Sequence, residues 1–106
     1  MIRLRAHHLA RGPLRGCPFD VWGAGPTGKR LARALEAHAL RPRRFVDVDA
    51  KKRIARGLPV DPPEALGNPG DAFIVCAVGA DGARAEIRAE LLPRGYVEGE
   101  HFLFAA

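Results

Sequence analysis

Short apolar runs and amphipathic stretches alternate along this chain. Phe19, Val21 and Trp22 predict a short strand that runs straight into a glycine turn, Gly23-Ala24-Gly25-Pro26-Thr27-Gly28. Beyond it, Leu31, Leu35 and Ala39 recur at helical spacing with Ala32 beside them, while Lys29, Arg30, Arg33 and Glu36 fall largely on the other face. That spacing predicts a helix over residues 26–39. Pro26 suits its first turn, where a missing N–H costs nothing, and Pro42 follows its end.

A second strand is predicted over 45–48, then a basic polar turn over 51–56. A brief extended piece at Val60 and a helical turn over 62–66 come next. Residues 72–78 form a continuous apolar run of strand length, as expected for a strand buried on both faces. A loop over 79–82 leads to a helix over 82–92, with Ala83, Ile87 and Leu91 on one face and Gly95 as its stop. Residues 101–104 read as a last strand. At the other end, residues 1–16 read as a basic helical segment, with a helix over 4–11 closed by Gly12-Pro13 and the look of a connector to an upstream domain.

Two β-α-β units in succession predict a parallel sheet with crossover helices. The expectation is a small Rossmann-like three-layer α/β domain over residues 17–106. Its sheet is mostly parallel, with four strands in the order 2-1-3-4. A chain of 106 residues with 47% hydrophobic content supports one core of this kind and not two.

Each glycine of the turn has a physical task. Gly23 permits the tight exit from the strand, Gly25 keeps no side chain between backbone and phosphate, and Gly28 lets the helix pack close to the sheet. The helix start then offers free N–H groups and a positive dipole end to an anion. The phosphate-binding set is therefore Gly23, Ala24, Gly25, Pro26, Thr27 and Gly28. Asp47 and Asp49 stand about 20 residues on, where an acid contacts a ribose and repels a 2′-phosphate. This favours an NAD-like or other unphosphorylated nucleoside over NADP. Lys51, Lys52 and Arg53 follow closely and pull the other way, and a competing reading has one Asp capping the next turn. Gly79, after the third strand, falls at the crevice where strand order reverses. Trp22 reads as core rather than as a stacking platform.

A phosphate-loop NTPase is excluded by the same residues. Gly23, Gly28 and Lys29 satisfy GxxxxGK, but Arg30 stands where a Ser or Thr hydroxyl must reach magnesium. No nucleophile–base or paired-carboxylate arrangement is evident, and Glu86, Glu90, Glu98 and Glu100 read as a solvated acidic face.

The net charge of +5 is uneven, because fourteen of the seventeen Lys and Arg lie in residues 1–56. Without a helix-turn-helix, zinc-finger or RNP-type pattern, nucleic acid is not the expected partner. Cys17 and Cys76 read as reduced thiols, and His7, His8, His38 and His101 have no metal-ligand spacing. The sequence has neither an apolar run of bilayer length nor a secretory leader, so a cytoplasmic location is expected.

The segments VWGAGPTGKRLARAL (21–35), FVDVD (45–49), AVGADGARAEIRAEL and GYVEGEHFLFAA carry a resemblance. Together they resemble the Rossmann-like region at the C-terminal end of some bacterial family 2 glycosyltransferases. More loosely, residues 19–49 are similar to the N-terminal nucleotide-sugar-binding domain of PglD-like sugar acyltransferases. The resemblance implies a module that is non-catalytic, or catalytic only beside a partner domain. It implies Gly23, Gly25 and Gly28 as the phosphate turn, Asp47 as a nucleoside contact, and a nucleotide, NAD-like or UDP-sugar, as ligand. After Asp49 the chain departs from the pattern, in the segment AKKRIARGLPV. Hexapeptide repeats of an acyltransferase are absent, and Asp47-Val48-Asp49 has the spelling but not the context of a glycosyltransferase DxD motif.

The expected function is thus nucleotide binding, with a glycosyltransferase domain or a second copy as partner, the latter through an open sheet edge. Two other readings compete: a partner-completed oxidoreductase or transferase subunit, and an interaction domain that no longer binds nucleotide.

Overall fold

The computed structural model describes residues 2–49, 51–79 and 81–105. Ala80, within the loop expected at 79–82, lies outside them. The chain runs α1 (Ile2–Arg11), β1 (Phe19–Trp22), α2 (Pro26–Glu36), β2 (Phe45–Val46), β3 (Ile54–Ala55), β4 (Leu58–Asp61), β5 (Phe73–Cys76), α3 (Ala83–Leu91) and β6 (Phe102–Phe104). Short 3₁₀ turns stand at Pro63–Ala65 and Leu92–Arg94.

Strand periodicity splits the interior in two. Phe19 and Val21 of β1, with Phe73 and Val75 of β5, point to one face, where they meet Leu31 and Leu35 of α2 and Ala6 and Leu9 of α1. Trp22, Ile74 and Cys76 point to the other, with Phe102 and Phe104 of β6 and Ile87 and Leu91 of α3. Helices therefore cover both faces of one sheet. The segment α1, with Leu14 after it, belongs to the first core. Leu31 and Leu35 are almost fully buried, and burying each contributes about 1.5–3 kcal/mol.

The sheet has six strands in the order β3-β4-β2-β1-β5-β6, not four in the order 2-1-3-4. Every pairing is parallel except β3 with β4. The two added strands form a hairpin outside β2, and β2-β1-β5-β6 are consecutive neighbours within the larger sheet. This mostly parallel α/β arrangement is compatible with a Rossmann-like fold. Between β4 and β5 the chain does not cross the α3 face as a full helix. It crosses by the 3₁₀ turn and a loop, held where Arg94 donates to the Pro63 carbonyl (2.9 Å) and the Tyr96 hydroxyl to that of Gly67 (3.1 Å).

Helix α2 stops at Glu36, three residues short of the expected end, because Ala39 adopts a left-handed conformation (φ 59°). The Leu40 N–H then reaches back to the Leu35 carbonyl at 3.1 Å, the closing bond of a Schellman motif.

A buried ion cluster pins the opposite end of β1. Asp20, 1% exposed, accepts two bonds from Arg43 (3.0 Å each) and one from Arg44 (3.1 Å). Arg44 continues to Asp61 at 3.1 Å, joining β1, β2 and β4. Among the described residues no helix is long and apolar enough to cross a membrane.

Candidate functional site

Strand β1 leads into α2 on one face, and β5 leads into α3 on the other. Connections that diverge to opposite faces leave an opening at the carboxyl ends of the strands, the usual ligand position in open α/β sheets. Here the opening is a cleft of about 500 Å³, within the range of small-molecule sites.

The glycine turn is fixed between its neighbours by backbone hydrogen bonds and close contacts. Gly23 donates its N–H to the Val46 carbonyl (2.7 Å), and Ala77 donates to the Trp22 carbonyl (2.9 Å). Gly23 sits at φ +116°, and a Cβ there would overlap the Ala77 carbonyl oxygen. A Cβ at Gly28 would overlap the Gly23 carbonyl oxygen, so α2 starts directly against the turn. Gly25 is different. It has an ordinary φ of −82°, and a Cβ there would meet nothing nearer than the Lys52 ammonium, at 3.7 Å. Gly25 alone of the three leaves its space to the cleft.

Among the described residues no side chain caps α2, and no acid stands in its first turn. Its first N–H groups lack intrahelical partners and carry the positive end of the helix dipole. Pro26 and Thr27 line the cleft beside Gly23 and Gly25, and Gly79 faces them from the end of β5. A Cβ on Gly79 would stand 3.7 Å from Thr27 Oγ1.

Asp47 lines the cleft, and its carboxylate is committed to the fold around it. Oδ2 accepts the Ala24 N–H (2.9 Å), Oδ1 accepts the Asp49 N–H (2.9 Å), and Lys52 Nζ stands 3.5 Å from Oδ2. Burial alone would raise its pKa. The two backbone bonds and Lys52 outweigh that and hold it below the ordinary 3.8. Strand β2 ends at Val46 rather than at 48, and just beyond it Asp47 gives its N–H to the Asp61 carbonyl (3.1 Å) and its carboxylate to the Ala24 N–H.

Asp49 does not line the cleft. It is exposed, and its Oδ1 accepts the Lys51 N–H (3.0 Å), an Asx turn closing the loop after β2. Ala24 and Gly28 are buried behind the cleft surface. The sequence-derived set thus divides. Gly23, Gly25, Pro26, Thr27, Asp47 and Gly79 meet in the cleft, Ala24 and Gly28 support it, and Asp49 stands apart.

Sequence reasoning missed several lining groups. Glu86 is exposed, as a solvated acidic face predicts, yet it and the half-buried Glu90 also line the cleft, with Glu64 of the 3₁₀ turn. Glu90 pairs with Arg94 (2.6 Å), whereas Glu98 pairs elsewhere, with Arg88 (2.7 Å). The spacing of Glu86 and Glu90, one turn apart near Ile87, was the available signal. Trp22 is buried in the second core and presents part of its surface to the cleft. Lys29, the lysine of the rejected phosphate-loop motif, does not line it. Cys76, the last residue of β5, is buried in the second core, where desolvation pushes its thiol far above the ordinary value and leaves it a poor nucleophile. Compared with protein-family models, curated proteins and solved structures, the chain returns no match.

Proposed function

We propose that this chain is a Rossmann-like nucleotide-binding module. Its ligand is NAD-like or a UDP-sugar, held by the phosphates against the glycine turn. It performs no chemistry of its own and works beside a glycosyltransferase domain. One observation carries the reading: Gly25 gives its side-chain space to an open cleft, at the uncapped start of α2. A phosphate needs that combination of close backbone approach, free N–H groups and a positive helix end. Size supports it too, because about 500 Å³ accommodates a nucleotide. The carboxylates of Glu64 and Glu86 line the same cleft. They suit the hydroxyl donors of a sugar and repel further anionic groups.

Thermal unfolding with NAD, NADP, FAD, UDP-sugars and S-adenosylmethionine tests this. A ligand at 100 times its Kd adds about 2.7 kcal/mol, a rise in Tm of roughly 10 °C for a domain of this size. Gly25→Val should abolish the shift and leave the fold intact, since its side chain enters only the cleft. Silence across the whole panel would refute nucleotide binding and favour the interaction-domain reading.

A further inference from the structure

We infer that Lys52 is the side chain that grips the ligand's diphosphate, and that Asp47 is a positioning residue rather than a ribose ligand. The inference rests on the nucleotide reading of the same cleft. Among the described residues, Lys52 is the one Lys or Arg that lines it, against Asp47, Glu64, Glu86 and Glu90. An anionic group entering so acidic a cleft has one favourable position, beside this ammonium.

Lys52 already stands there. Its Nζ lies 3.7 Å from the Cβ position that Gly25 leaves empty, so a phosphate seated on Gly25 comes within its reach. Neighbouring cations do not compete. Lys51 and Arg53 are exposed and outside the lining, and Arg30 bonds the Pro26 carbonyl (3.4 Å).

Asp47 supplies the positioning. A carboxylate offers about four acceptor sites. Here the Ala24 and Asp49 N–H groups and Lys52 occupy three. It braces the glycine turn from behind and holds the Lys52 ammonium over Gly25. Before a ligand arrives, it is the counter-ion that keeps Lys52 in place.

The test is titration calorimetry at low salt with inorganic pyrophosphate, UDP and NAD. Pyrophosphate carries the diphosphate without a ribose, and the relative affinity for UDP and NAD separates the two nucleotide sources. Lys52→Gln should weaken all three by about tenfold to a hundredfold, the worth of a charged hydrogen bond. Lys52→Arg should restore most of the affinity and leave the unliganded Tm unchanged, whereas Lys52→Gln should lower that Tm by only a few degrees, the loss of one half-exposed ion pair. Asp47→Asn should change binding of all three probes by the same factor, because its effect passes through Lys52 and Ala24. A factor seen with UDP and NAD but not with pyrophosphate would return Asp47 to the ribose and overturn its positioning role. Nucleotide binding unchanged in Lys52→Gln would overturn the lysine assignment and leave the nucleotide reading standing. No binding of any probe to the unmodified protein would overturn both.

Discussion

Gly28→Ala sets two physical effects against each other. Gly28 lies in the first turn of α2, where helix propensity alone favours alanine by up to about 1 kcal/mol. Against it, the new Cβ would overlap the Gly23 carbonyl oxygen and stand 2.7 Å from its carbon. The oxygen is the nearer of the two atoms, so restoring an ordinary separation of roughly 3.5 Å requires a displacement of more than about 1 Å. Gly23 cannot yield easily, because its N–H is bonded to Val46 and the adjoining Trp22 carbonyl to Ala77. Overpacking of this kind costs about 1–3 kcal/mol or more, so steric strain wins. The expected net loss is about 2 kcal/mol, or roughly 8–16 °C in Tm. Thermal melts followed by circular dichroism, with urea unfolding as a second measure, would read it. Gly25→Ala is the internal control. It has room and an ordinary φ, and it should match or exceed the parent's stability by a few tenths of a kcal/mol. Equal Tm values for the two variants, or a Gly28→Ala protein as stable as the parent, would refute the turn geometry.

Other expectations follow from single features. Ala39→Gly should stabilise the protein by about 1 kcal/mol, because the left-handed conformation at φ 59° penalises a Cβ; a loss of stability in urea unfolding would contradict it. Replacing Arg43 and Arg44 together by alanine leaves the Asp20 carboxylate buried and unpaired and should cost about 3–5 kcal/mol. A double-mutant cycle with each single variant should show strong coupling. Asp47 has a lowered pKa in the fold, so the native state binds fewer protons than the unfolded chain. Its contribution is fully present above roughly pH 5 and is lost as pH falls through the folded value. Urea titrations over that range should show a shallower acid decline for Asp47→Asn; parallel curves would remove the assigned role.

Periodic elements were legible in the sequence because burial imposes a pattern. The runs around Phe19–Trp22 and Phe73–Cys76, and the helical spacing of Leu31 and Leu35, follow from facing a core. The hairpin was not legible. Its two-residue turn, Arg56-Gly57, has φ of 49° and 76°, a conformation usually signalled by Asn-Gly. Arg56 hides the turn, and it is held by Glu36 (2.6 Å) across to α2. Pro59, a residue type that strand interiors disfavour, lies in β4 opposite Ile54. At the site, the glycine turn was legible because backbone geometry restricts its residue types. The partners of Asp47 were not. They are backbone N–H groups, of Ala24 across the turn and of Asp49 two residues on, and no pattern of residue types announces such a contact.

The shortened crossing between β4 and β5 has a consequence for exchange. A full helix there would close the side of the cleft that Pro63 and Glu64 now border with a single turn. If the proposed nucleotide is anchored at the glycine turn, the end of it that lies along this side would be bordered by a single 3₁₀ turn rather than by a helix. An opening of that kind would favour exchange over long residence.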